Sequence, residues 1–267
     1  MNSSFLQEDN LEMTRYIAFA NRKGGCGKTT TAVNVAHALA MRGKKVLLID
    51  ADPQAHATIA LGIPPLSRKC QILHLLREGA PFSDAVFNTH IPGVCLIPAS
   101  RELGSFELDF SSRKGSETLL SECLYEESAA FDYLIFDPPP TVGLLTISTL
   151  VAAQEVFIPM QMHFLAMEGL AEMMQLIYTV NATHNAKLRL GAIIPTFFNK
   201  NTRLAREIAE DIVKNFGEEK LLPGIRMNIS LAEAPGHGKS IFEYAPQSSG
   251  AADYLELANR IDGLGRG

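Results

Sequence analysis

Asn21-Arg22-Lys23-Gly24-Gly25-Cys26-Gly27-Lys28-Thr29-Thr30 is the stretch that decides the fold of this chain. An apolar run, Tyr16–Ala20, leads into it, and a segment with helical patterning, Thr29–Met41, leads out. Glycines between a strand and a helix let the backbone fold back, so that several N–H groups converge on one concavity. The helix N-terminus adds its positive end there. Gly24 to Thr29 falls short of the full G-x-x-x-x-G-K-[ST] phosphate loop, and with Lys23 the stretch reads K-G-G-C-G-K-T-T. Gly24, Gly25, Cys26, Gly27 and Thr30 are expected around the phosphates. Lys28 is expected to reach the β- and γ-phosphates, and the Thr29 hydroxyl to ligate Mg²⁺.

Two further strand ends supply acids. Leu47-Leu48-Ile49 runs into Asp50-Ala51-Asp52-Pro53-Gln54, which delivers two carboxylates to the carboxyl edge of a sheet, where open α/β folds bind ligands. Tyr133-Leu134-Ile135-Phe136 ends in Asp137, a carboxylate at a strand tip suited to holding Mg²⁺. The other strand candidates are Val94–Pro98, Val156–Met160 and Leu190–Ile194. All are near-continuous hydrophobic runs, as strands buried on both faces are. Helix-length segments lie between them: Gly115–Tyr125, Met167–Thr183, Arg203–Phe216 and Ala251–Ile261. The expected fold is a single α/β P-loop domain over residues 15–262, a mostly parallel twisted sheet with helices on both faces. Residues 1–14 are expected to form a short flexible segment and residues 263–267 a tail.

Composition agrees. The chain has 267 residues, 46% hydrophobic and 20% charged, with a net charge of −5 that argues against coating nucleic acid with the whole surface. Cys26, Cys70, Cys95 and Cys123 form no CxxC pair, so reduced thiols are expected rather than zinc or disulfides. No signal peptide is read at the N-terminus, and no apolar run approaches the ~18 residues of a membrane span. His37, His56, His163 and His237 show no partner pattern in the sequence.

The extra lysine at the front of the loop, Lys23, resembles the deviant phosphate loop of the ParA/MinD family of partition and positioning ATPases. Pro159-Met160-Gln161, Met167-Glu168-Gly169-Leu170 and Leu231-Ala232-Glu233-Ala234-Pro235-Gly236-His237-Gly238-Lys239 resemble its chromosomal ParA (Soj-type) branch. The resemblance covers about residues 15 to 262. It implies an ATP-dependent homodimer in which Lys23 crosses to the partner's phosphates, by the logic of an arginine finger. It also implies that Asp50 lies near Mg²⁺, that Asp52 orients the attacking water, and that Pro138-Pro139-Pro140-Thr141 senses the γ-phosphate. Asn199 is implied to recognise adenine, with Met227 packing near the base. The implied partners are a ParB-like or other small activator protein and non-specific DNA. The implied place is the bacterial cytoplasm, on the nucleoid where DNA is bound.

The chain departs from that pattern where the family's DNA-binding arginines are expected: Asn201 and Ser230 occupy those positions, and Ala245–Gly250 lacks basic residues. Arg203, Arg206 and Arg226, with Lys214, Lys220 and Lys239, are the candidates for a displaced basic face. A MinD-like action on a membrane or protein scaffold is the alternative, although the C-terminus ends in glycines where a basic amphipathic helix is needed. A GTP-binding regulator requires N-K-x-D, and Asn199-Lys200-Asn201-Thr202 lacks the acid. A cluster-carrying relative requires bridging cysteines, which Cys95 and Cys123 do not resemble. Cys26 is read as a small apolar filler, with a redox role as the other reading.

Overall fold

A computed structural model describes residues 14–67, 69–124 and 128–264. Residues 1–13, the tail from 265 and the end of the expected helix at Tyr125 lie outside the described residues. The strands are β1 (Arg15–Phe19), β2 (Val46–Asp50), β3 (Phe87–Asn88), β4 (Val94–Ile97), β5 (Tyr133–Asp137), β6 (Glu155–Gln161) and β7 (Arg189–Thr196). The helices are α1 (Lys28–Met41), α2 (His56–Ala60), α3 (Ile72–Glu78), α4 (Phe82–Ala85), α5 (Gly104–Phe110), α6 (Leu119–Leu124), α7 (Leu144–Ala152), α8 (Ala166–Thr183), α9 (Arg203–Phe216), α10 (Ile229–Glu233), α11 (Ile241–Tyr244) and α12 (Ser249–Gly263).

The hydrophobic strand runs divide with a period of two between the sheet's faces. Ala18, Leu47, Ile49, Leu134 and Phe136 point to one core, which α3, α5, α6, α7 and α8 cover. Ile17, Phe19, Val46, Leu48 and Ile135 point to the other, under α1 and α12. Burial on both faces is what produces an uninterrupted apolar run in sequence. The strand order is β3-β4-β2-β5-β1-β6-β7, and every pairing is parallel except β3 with β4. The expected α/β architecture with helices on both faces is therefore found. The expected helix Gly115–Tyr125 is shorter: it starts with a 3₁₀ turn at Ser116–Thr118 and becomes α-helical only from Leu119. Gly115 sits at φ 87, a left-handed conformation that excludes it from the helix.

The order of the central strands places the site. β2, β5 and β1 are neighbours, so Asp50, Asp137 and the loop after Phe19 emerge side by side at the carboxyl edge. Asp50 and Asp137 are register partners across the β2–β5 pairing. At the opposite edge, buried Glu155 accepts from Arg15 at 2.5 Å and from Arg189 at 2.7 Å, fastening the starts of β1, β6 and β7 together.

Candidate nucleotide site

The loop between β1 and α1 is shaped by the bonds its carbonyls make. Thr196 Oγ1 at the end of β7 donates to Cys26 O at 2.8 Å, and Gln161 Nε2 at the end of β6 donates to Gly25 O at 3.0 Å. The Cys26 thiol donates to Lys23 O at 3.2 Å, and Lys28 Nζ approaches the same oxygen at 3.4 Å. Asn21 anchors the loop's start: its Nδ2 donates to Pro159 O at 2.7 Å, and its Oδ1 accepts from Lys23 N at 3.0 Å. With these carbonyls engaged by side chains, backbone N–H groups of the loop are left to meet an anion. Gly27, the N-cap of α1, has φ 86, and Thr31 N closes the first helical turn on its carbonyl at 2.9 Å.

Lys28 is buried at the mouth of α1, whereas Lys23 is exposed. The loop therefore presents two lysines in different settings. Cys26 is 1% exposed, and burial raises its thiol pKa despite the nearby Lys28. Burial of the Cys26 thiol favours the filler reading over the redox one.

The two strand-tip acids differ sharply. Asp50 Oδ2 accepts from Thr58 N at 2.8 Å and Thr58 Oγ1 at 2.7 Å, and its Oδ1 accepts from Asp52 N at 3.2 Å. Burial pushes its pKa up to about 6, while the Thr58 and Asp52 donors oppose the rise. Asp137 is fully buried, and neither carboxylate oxygen has a partner within ordinary hydrogen-bond geometry, although the Thr29 hydroxyl is near enough to favour its charged form. Burial, then the neighbouring Asp50, raises its pKa well above the carboxylate range, while Thr29 and Lys28 favour its charged form. A buried carboxylate without a donor is costly unless a cation completes it. Hard oxygen donors from Asp137 and Thr29 fit Mg²⁺, which takes few protein ligands and completes its shell with water and phosphate. Asp50 was expected beside the metal. Protein donors engage both its oxygens, whereas those of Asp137 have none in ordinary geometry.

Asp52 is nearly buried, and its Oδ1 accepts from Gln54 N at 2.8 Å. Ala55 follows in the left-handed region at φ 55. The turn after Asp137 is held by Thr146, whose hydroxyl donates to Thr141 O at 2.6 Å and stands 3.2 Å from Pro139 O.

On the other side of the loop, Phe198 N donates to Ile225 O at 2.8 Å, and Phe198 pairs in parallel register with Arg226. Asn199 and Met227 each follow directly on that pairing in the chain. Met227 is 74% exposed, and Phe197 has φ 51. The two non-glycine residues with positive φ among the described residues, Ala55 and Phe197, follow Asp52 and Thr196 closely in the chain. Backbone strain of this kind concentrates at ligand-binding sites.

Several candidates for the basic face already have partners. Arg226 is paired with Asp253, its Nη2 donating at 2.6 Å and its backbone N at 2.9 Å. Arg203 pairs with Glu207 at 2.7 Å, and Lys220 Nζ donates to the carbonyls of Leu190 and Gly191. Arg206 is exposed with no ion pair among the described residues. Asn21, Gln161, Thr196, Thr58 and His163 are site residues that the sequence reading did not single out. Each lies at or just past a strand end, or at a helix start, where no periodicity marks it.

An α/β sheet with this loop and an unpaired Asp137 beneath it defines a P-loop nucleotide hydrolase. Residues 14–190 match the model of an AAA domain family, AAA_31. The chain is 35% identical over 249 residues to the chromosome partitioning protein ParA of Caulobacter vibrioides, covering 92% of this chain and 93% of the relative. It is 36% identical over 249 residues to the sporulation initiation inhibitor protein Soj of Bacillus subtilis, covering 93% and 98%. A Mycobacterium smegmatis structure described as cobyrinic acid a,c-diamide synthase, with bound ADP and magnesium, superposes with a TM-score of 0.80. It is 32% identical, and the match covers 92% of this chain and 93% of that one. The chain belongs to the ParA/Soj family of P-loop ATPases. It is an ATPase. No helix among the described residues is long and apolar enough to cross a membrane.

Proposed function

We propose that this ATPase is a partition or positioning switch. ATP closes two copies face to face, Lys23 of each reaches the other's phosphates, and slow hydrolysis resets the pair. The supporting observation is the contrast between the two loop lysines: Lys28 is buried in its own loop, and Lys23 is exposed at the front of it. A lysine serving its own chain's phosphates needs no such exposure. In this reading the backbone N–H groups of Gly24 to Thr30 bind the phosphates and Lys28 neutralises the β- and γ-oxygens. Asp52 orients the attacking water through the carboxylate oxygen that Gln54 leaves open. Thr29 and Asp137, with Asp50 behind, would hold Mg²⁺, which would supply positive charge against that developing on the phosphates. Asn199 hydrogen-bonds adenine, and Met227 packs against the base.

The cargo is DNA or a protein assembly, engaged with a ParB-like or other small activator, in the bacterial cytoplasm. Non-specific DNA binding in the ATP dimer rests on Arg206, with Arg203 and Arg226 contributing only by giving up their ion pairs. That engagement favours a second reading, in which a protein scaffold rather than the nucleoid is the substrate track. Retention on DNA with ATP but not ADP, falling with salt, separates the two.

The test of the switch is Lys23→Gln. ATP binding measured by calorimetry should persist, while ATP-dependent dimerisation and dimer-dependent hydrolysis should be lost. A variant that dimerises and hydrolyses normally would sink the proposal.

A further inference from the structure

His163 lies on the loop between β6 and α8, and its Nε2 is 2.5 Å from Lys23 Nζ. Its Nδ1 is 3.2 Å from the backbone N–H of Leu165, the N-cap of α8. A neutral imidazole has one acceptor nitrogen, and both neighbours here are donors. The ring can satisfy the lysine or the N–H, but not both. The shorter, charge-assisted contact is the one to Lys23, so in the unpartnered chain the ring serves the lysine. The adjacent Arg22 is drawn to Glu172 of α8 at 3.1 Å and does not compete for the ring. Phe164 is 86% exposed and Leu165 57% exposed, so this loop stands open on the same edge as Lys23.

We propose that His163 is a positioning residue with two settings, which holds Lys23 in the single chain and releases it when a second copy arrives. On release, the proton moves between the ring nitrogens by exchange with solvent. Nδ1 then accepts from Leu165 N–H and tightens the start of α8. The loss of the lysine contact is thereby partly offset, and Lys23 becomes free to cross. The hold raises the threshold for dimerisation, which guards against pairing at low ATP occupancy. This inference rests on the reading that Lys23 acts across the dimer.

Two measurements on the full chain test it. Ring ¹⁵N chemical shifts of His163, recorded without nucleotide at pH 8, should show Nδ1 protonated in the wild type. Lys23→Met should invert that, with Nε2 protonated. In sedimentation with saturating ATP, His163→Leu should tighten the dimer. Exposed charge-assisted contacts are worth roughly two- to five-fold each, and two are released per dimer, giving on the order of ten-fold in Kd. His163→Gln, whose amide oxygen can still accept from Lys23, should restore the wild-type Kd. An unchanged tautomer in Lys23→Met overturns the proposal, as does a His163→Leu dimer no tighter than the wild type. Failure of the dimer-switch reading is seen separately, as a Lys23→Gln variant that still pairs and hydrolyses.

Discussion

Replacing Asp137 with Asn should make the nucleotide-free protein more stable while removing its ability to be stabilised by Mg²⁺–ATP. The side chain is fully buried, neither oxygen has a partner within ordinary hydrogen-bond geometry, and Asp50 is its register partner on the adjacent strand. An unsatisfied buried polar group costs about 1–3 kcal/mol, and more when charged. Asn carries no charge to desolvate or to repel Asp50, so the variant should be the more stable at pH 8, and each kcal/mol gained raises Tm by about 2–4 °C for a chain near this size. Wild-type protein at a hundred times its ATP Kd should gain about 2.7 kcal/mol from the ligand. The variant should gain little, so the two proteins exchange rank on adding Mg²⁺–ATP. The pH dependence follows from the direction of the shifts. Burial raises Asp137 well above the ordinary 3.8, and raises Asp50 to about 6. The folded chain thus binds these protons more tightly than the unfolded one. Stability from this pair is greatest below the unfolded value and is lost as pH rises through the folded values. The advantage of the variant should shrink as pH falls from 8 toward 5. Thermal denaturation at both pH values, with and without Mg²⁺–ATP, is the assay. A variant less stable than the wild type at pH 8 without nucleotide refutes the reasoning, as does one that keeps the full ligand shift.

Thr196→Val keeps the shape of a buried side chain but removes the donor to Cys26 O, a loss of about 1 kcal/mol. Urea denaturation should show that loss, and fluorescent-nucleotide titration should show weaker ATP binding, because the loop loses its tie to β7. Asp52→Ala should yield an ATP-bound dimer that does not turn over; gel filtration with a phosphate-release assay checks this, and rapid turnover contradicts the assigned role. Gly238→Ala would place a Cβ 2.6 Å from Gly62 Cα, in a residue at φ 62. It should cost more than 2 kcal/mol in urea denaturation, against about 1 kcal/mol for Gly43→Ala, whose Cβ would meet nothing within 4 Å.

What the sequence makes legible is set by how each feature is encoded. β1, β2, β5 and β6 are buried on both faces, so hydrophobicity is uninterrupted along them and their ends fall within a residue or so of expectation. Phe87–Asn88 pairs antiparallel to β4 for only two residues, one apolar and one polar, which is too short to carry a pattern. The phosphate loop reads clearly because its residues are consecutive. The groups that hold it open do not. Thr196 is 170 residues from Cys26, and Gln161 is 136 from Gly25. Only the adjacency of β1 with β6, and of β6 with β7, brings them together. His163 looks ordinary in sequence for the same reason, since its partner Lys23 is 140 residues away. Asp50 shows the converse. Its place at a strand tip is legible, but its engagement by Thr58 depends on α2 folding back over it.

These long-range bonds also explain how one edge of the sheet can sense a phosphate. Asn21, Gln161 and Thr196 tie the loop to β6 and β7, while Thr58 ties Asp50 to α2. Thr58 in turn accepts from Ala99 N at 3.1 Å, past the end of β4. Every strand end from β4 to β7 is thereby in contact with the site, or one bond removed from it. In the ligand-free chain several polar groups have no ideal arrangement: Asp137 is unpaired, Lys28 makes only a long contact with Lys23 O, and His163 faces two donors. In the proposed switch, ATP with Mg²⁺ would supply the partners that the first two lack, and a second copy of the chain would supply a destination for the lysine held by the third. A nucleotide hydrolase working as a single subunit would have reason to settle Lys23 permanently. Here the lysine is held by one exposed ring that has another donor waiting, an arrangement suited to being undone.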